Sequence, residues 1–252
     1  MRYIIPVLGA LLILVISCEP PVSLTKPTVT AQPISAGDTL RLTWTAVNGA
    51  TGYNIYLDGV KHQVQAGTYS YDVPGPVKKI EVSAYDASEE SDKWELVTTI
   101  EKTANIIVYT TADVGNPNHA FYFNASGTAV AIPLSQATDI DFVLDTSGTA
   151  ANIEIRSPSS YTPKYNNKDN ATATATTTDF DALKDAPAPG VYNTVRQISA
   201  NALYSLWIDP TGDGWSVDDH FGKLKIENIS GTAVTMTAGY QKTGGLRWLI
   251  SQ

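Results

Sequence analysis

One cysteine, two methionines and three histidines are the whole stock of soft and imidazole ligands in this 252-residue chain. A single cysteine excludes an internal disulfide framework and the multi-thiolate sites of structural zinc. Basic residues are also scarce, 17 against 25 acidic ones, for a net charge of −8. An acidic chain without Lys/Arg clusters is not built for nucleic acid. Signatures of common catalysts are missing as well. There is no Gly-x-Ser-x-Gly elbow, no His-Glu-x-x-His and no glycine-rich phosphate loop, and no feature points to a carboxylate pair for glycoside cleavage. The expectation is a protein that is not an enzyme.

The chain opens instead with Arg2 and an apolar run from Tyr3 to Ile16, interrupted by Pro6. That run is too short for a bilayer span, which takes roughly 20 residues, and it suits the apolar centre of a secretory signal peptide. Its end, Val15-Ile16-Ser17-Cys18, resembles a bacterial lipobox. The resemblance implies a signal peptide over 1–17, cleavage before Cys18, a thioether lipid on its sulfur and acylation of the new amino terminus. Two or more chains anchor stably where one does not. The expected location is the cell envelope, lipid-anchored, with the outer membrane favoured; Glu19 after Cys18 is not the aspartate associated with inner-membrane retention in enterobacteria. Residues 18–26, with Pro20 and Pro21, read as an extended tether.

Few stretches beyond the tether carry a helical period, whereas alternating runs abound, so the fold class is all-β. Over 27–102, seven segments read as strands: Thr28–Pro33, Thr39–Ala46, Gly52–Leu57, Lys61–Gln65, Thr68–Val73, Lys79–Tyr85 and Lys93–Ile100. Leu40, Leu42 and Trp44 share one face, as do Tyr53, Ile55 and Leu57 before the hairpin signal Asp58-Gly59. Trp44, Gly52-Tyr53-Asn54-Ile55-Tyr56 and Ile80-Glu81-Val82-Ser83-Ala84 resemble the second, third and sixth strands of a fibronectin type III domain. The tyrosine-corner position holds Lys78 instead. The implied role is a spacer.

Over 103–252 the strand segments continue as a second, larger antiparallel β domain: Asn105–Thr110, His119–Asn124, Val130–Pro133, Asp139–Asp145, Asn152–Arg156, Leu203–Ile208, Lys223–Ile229, Ala233–Tyr240 and Leu246–Ile250. Ser-Gly-Thr-Ala recurs at 126–129, 147–150 and 230–233 as a turn. Ala171–Thr178 reads as an edge strand or a mobile loop, and Thr178–Lys184 as one short helix ended by Pro187. The order Phe121-Tyr122-Phe123-Asn124, Thr138-Asp139-Ile140-Asp141-Phe142, Thr178-Asp179-Phe180-Asp181-Ala182, Gly222-Lys223-Leu224-Lys225-Ile226 and Tyr240-Gln241 resembles the HmuY-like outer-membrane lipoproteins. That resemblance implies a ligand, haem or another nutrient. The family places its haem ligands in a segment that is short here, Gly190 to Phe221, with His220 as its one histidine.

Candidate ligand-binding residues are accordingly His119, His220 and Trp215. Haem takes His, Met, Cys or Tyr axial ligands, and neither histidine has a partner fixed by spacing. Asp209, Asp213, Asp218 and Asp219 form the densest acidic cluster, and calcium takes six to eight oxygen ligands from such loops. Asp209, Asp213 and Gly214 fall on EF-hand positions 1, 5 and 6, whereas Thr211 and His220 occupy positions where ligands are needed. The tryptophans allow a third class, a glycan-stacking or adhesion surface, although aromatics at strand spacing more often fill a core. The expected partners are thus a membrane through the lipid and a haem, glycan or protein ligand.

Overall fold

The structure, a computed structural model, describes residues 23–146 and 152–252. Cys18, the leader and the Ser-Gly-Thr-Ala copy at 147–150 lie outside these.

Seven strands build the first sandwich: β1 Val29–Ile34, β2 Thr39–Trp44, β3 Gly52–Leu57, β4 Val60–Gln65, β5 Ser70–Val73, β6 Lys79–Tyr85 and β7 Trp94–Val97. Sheet β1-β2-β5 faces sheet β4-β3-β6-β7, every pairing antiparallel. This is the fibronectin type III arrangement. Alternation fills its core, with Leu40, Leu42, Trp44, Tyr53, Ile55, Ile80, Val82 and Ala84 all buried. Asp58 and Gly59 both take positive φ, as the tight hairpin between β3 and β4 demands. At the corner where Lys78 stands, the Thr98 amide donates to the Lys78 carbonyl and its hydroxyl to that of Val77.

Ten strands build the second sandwich: β8 Glu101–Tyr109, β9 Ala120–Phe123, β10 Ala129–Ile132, β11 Phe142–Thr146, β12 Ile153–Arg156, β13 Ala171–Thr174, β14 Val195–Gln197, β15 Leu203–Ile208, β16 His220–Ser230 and β17 Ala233–Tyr240. They form two five-stranded antiparallel sheets, β10-β9-β11-β12-β14 and β13-β15-β16-β17-β8. Phe121, Phe142, Leu144 and Ile155 of the first meet Leu206, Leu224, Ile226 and Met236 of the second. Gly127 and Gly231, in the two described Ser-Gly-Thr-Ala copies, both have positive φ, which glycine adopts without penalty.

Three local expectations are revised. Residues 178–184 form a turn, not a helix. The Lys225 ammonium takes the Thr178 carbonyl at 2.7 Å, and Lys223 takes those of Phe180 and Leu183 at 2.6 and 3.0 Å. Those oxygens would otherwise be open to the amides four residues on. Residues 246–250 are extended but not a sheet strand, because their backbone bonds are split among Gly37, Lys184, Ala186 and Ile100. The tether is shorter than 18–26, since Leu24 is buried in the first core and its amide donates to Glu89 at 2.6 Å.

The two sandwiches are joined by more than the chain passing between β7 and β8. Leu246 and Trp248, which follow the last strand of the second sandwich, lie fully buried in the core of the first. The Trp248 indole donates to the Asp38 carbonyl at 3.1 Å, and Arg247 bonds the Asp38 carboxylate at 2.7 Å. Gly37, at φ +86°, sits so close that a Cβ there would run into the Gly245 carbonyl.

Candidate binding site

The second sandwich opens into a polar cleft of about 500 Å³ between two loops, within the usual range for small-molecule sites. Its first wall is the fourteen-residue connection Ser157–Asn170, between β12 and β13. Such a segment has few backbone partners of its own, so side chains must hold it. Asn166 Nδ2 donates to the Ala137 and Ile140 carbonyls at 2.8 and 2.9 Å. Lys168 reaches the Asp139 carbonyl and pairs with Asp141 at 2.7 Å. Asp141 is 4 % exposed, and burial pushes its carboxyl above the usual range despite that ammonium. Fully buried Asn170 then ties the walls together, donating to the Asp141 carbonyl and accepting from the Asp209 amide, each at 2.8 Å.

The second wall is the β15–β16 connection. Asp209 Oδ1 accepts from the Thr211 and Gly212 amides at 3.1 and 2.6 Å, and Oδ2 from the Gly214 amide at 3.3 Å. Gly212 and Gly214 carry the positive φ that this wrapping requires. Between the walls, Ser159, Ser160, Lys164, Asn167, Asp169 and Thr211 line the opening. Among the described residues Lys164 forms no ion pair.

The four aspartates do not converge on a cation. Asp209 is turned inward and its oxygens are occupied by backbone donors. Buried Asp219 accepts from Trp207 Nε1 at 3.0 Å and the Ser216 amide at 2.9 Å, and burial raises its carboxyl. Asp213 accepts from the Thr211 hydroxyl, while Asp218 is exposed. Among the described residues no group of three or more His, Cys, Asp or Glu side chains could share a metal ion. This loop is a self-capped turn.

The histidines do not fit a shared haem. His119 lies beside Tyr109, which pairs with Ala233 at one end of β17. His220 stacks on Tyr240 at the other end, ring centroids 5.0 Å apart. Seven strand steps separate those levels, roughly 23 Å, too far for two ligands of one iron. His220 Nδ1 meets the Gln241 carbonyl at 3.0 Å, and the Tyr240 ring stacks in turn on Phe123. His119 Nδ1 is buried without a partner. Trp215 is half-buried against the apolar cluster that holds Phe180, Leu203 and Phe221, and its indole donates to the Gly245 carbonyl at 3.2 Å.

None of the cleft residues in 157–170 was singled out by sequence reasoning. The available signal was length, because a loop of more than about 12 residues inside a compact domain is commonly functional.

No family model matches the chain, and no curated protein shows significant similarity to it. Among solved structures it is similar to one described as FN3tt mut, 25% identical over 29% of this chain and 92% of that one, TM-score 0.26. A DUF4466 family protein from Parabacteroides merdae is 10% identical over 88% of this chain and 100% of its own, TM-score 0.43. A two-domain fibronectin type III segment of chicken tenascin is 11% identical over 88% and 100%, TM-score 0.25. The strand order above defines the class, a nearly all-β protein with a fibronectin type III-like sandwich.

Proposed function

We propose that this chain is a lipid-anchored, non-catalytic binding protein of the bacterial cell envelope, located at the outer membrane, and that its second sandwich holds a saccharide in the 157–170/209–214 cleft. The carrying observation is the lining, made of hydroxyls, an amide and one charge of each sign on walls locked by Asn170. Saccharides are bound through such hydroxyl and amide contacts, and rigid walls limit the ordering cost of binding. The anchor rests on the lipobox resemblance at Cys18.

The test uses the soluble chain 19–252 on a glycan array, followed by calorimetric titration of the sugars it retains. Lys164→Ala and Asn167→Ala are expected to weaken retention about tenfold each, the usual scale for losing one charged or well-placed hydrogen bond. Haem titration in both oxidation states runs alongside. Saturable haem binding with no retained glycan would replace the saccharide with haem. Labelling with radioactive palmitate, lost in Cys18→Ala, tests the anchor.

A further inference from the structure

Of the four hydroxyl groups that line the cleft, those of Ser159, Ser160, Thr194 and Thr211, three are not free to turn either way. Each carries one proton, and in three of them that proton is committed inward. Ser159 Oγ donates to Asp169 Oδ1 at 2.6 Å, and Ser160 Oγ to the Ser157 carbonyl at 2.7 Å. Thr211 Oγ1 donates to Asp213 Oδ1 at 2.6 Å, with Asp209 Oδ1 also within 3.2 Å. All three acceptors are carboxylate or carbonyl oxygens with no proton to return; the Ser157 hydroxyl, 2.9 Å from Ser159 Oγ, has its own proton on the Lys168 carbonyl. The amides of Thr211 and Gly212 are likewise spent on Asp209. The opening therefore presents oxygen lone pairs from these three hydroxyls and the Asp169 carboxylate, against three side-chain donors, Lys164, the Asn167 amide and the hydroxyl of Thr194, which also lines the cleft.

We infer that the cleft selects its saccharide by free hydroxyl protons: it takes neutral sugars that donate several O–H groups and discriminates against forms whose hydroxyls are alkylated, acylated or replaced. This rests on the saccharide reading above and adds the direction of its hydrogen bonds. A ligand hydroxyl placed against Ser159, Ser160 or Thr211 must donate, because no proton faces it from any of the three. An analogue without that proton leaves two acceptors facing each other, both stripped of water, which is costlier than the absence of a bond. Acidic sugars place a carboxylate against the Asp169 carboxylate and within the field of a chain of net charge −8.

The experiment is saturation-transfer NMR and competition titration of the 19–252 chain. The probes are the methyl glycosides of glucose, galactose, mannose and N-acetylglucosamine, and their monofluoro-deoxy analogues. Fluorine adds almost no bulk and keeps an electronegative atom, but it removes the proton. For the sugar that binds, substitution at the contacted positions is expected to weaken binding about tenfold per site. In Asp169→Asn the new amide can donate to Ser159 Oγ and release its proton outward, so the penalty is expected to shrink at one position while others keep it. Equal affinity for the parent and every fluoro analogue overturns the inference and leaves saccharide binding standing. Failure of all four parent glycosides, with none retained on the array, overturns the saccharide reading itself.

Discussion

Asp185 shows how one carboxylate can oppose the contact it sits in. Its Oδ1 is buried without a hydrogen-bond partner, near Arg247, whose two terminal nitrogens go to Ala186 and Asp38 while its Nε is itself buried unpartnered. Burial raises its pKa to about 6, the Asp38 charge adds to the rise and Arg247 only partly offsets it. A raised acid contributes stability that is present below its unfolded value, near 3.9, and is lost as pH rises through about 6. Asp185→Asn should therefore gain of order 1 kcal/mol over wild type at pH 7.5, after allowance for partial solvent screening. Urea midpoints at both pH values check this, since the gain should vanish near pH 4. An equal difference at the two pH values would refute it. Nothing in the local sequence around Asp185 reveals this, because Asp38 and Arg247 come from the far ends of the described chain. The aspartates of the 209–219 loop were conspicuous in sequence for their spacing, yet spacing cannot say which way a carboxylate turns. Asp209 turns toward its own backbone.

At the level of elements, strands were legible wherever alternation fed a core. β2, β3, β6, β15 and β17 fall within a residue or two of their expected bounds. β13 resolves the two readings of its Ala/Thr run in favour of an edge strand. Small as its side chains are, Ala171, Thr172 and Ala173 are all buried. The short β14 carries no apolar alternation to read, since Val195 and Gln197 are exposed and its side-chain ties are polar, Arg196 to Thr172 and Thr174 and Gln197 to Asn152. The misread helix has its cause on another strand. Lys223 Nζ serves Phe180, Leu183 and Ser251, and desolvation lowers its pKa to about 8. Lys223→Met should leave two carbonyls without their donor, at about 1–3 kcal/mol each, offset in part by relief of the buried charge. Hydrogen exchange should then speed up over 179–184 while β16 and β17 keep their protection. Unchanged exchange in that turn would show that the lysine is not what shapes it.

For the whole molecule, the sequence reading of a spacer followed by a binding domain captured the two sandwiches but not their mutual dependence. Leu246 and Trp248 read as part of a last strand of the second domain, and strand-spaced apolar residues look the same whichever core they enter. Because Trp248 fills the first sandwich, Trp248→Ala should destabilise that sandwich by about 3–5 kcal/mol, the range for truncating a buried aromatic. Calorimetry of the wild-type 19–252 chain should show one cooperative transition, and the variant two, with the first sandwich melting earlier. Two transitions in the wild type would mean the shared core does not couple them.

Leu24 and Trp248 together have a geometric consequence. Both are clamped into the first sandwich, one at each side of the path from the anchor to the cleft. If Cys18 carries lipid, six residues, 18–23, separate it from the clamped Leu24, a reach of at most about 20 Å. The lipid then holds the first sandwich within that distance of the membrane surface, and Trp248 ties the cleft's sandwich to it. Lengthening those six residues changes reach without altering aim, whereas loosening Trp248 changes aim at constant reach.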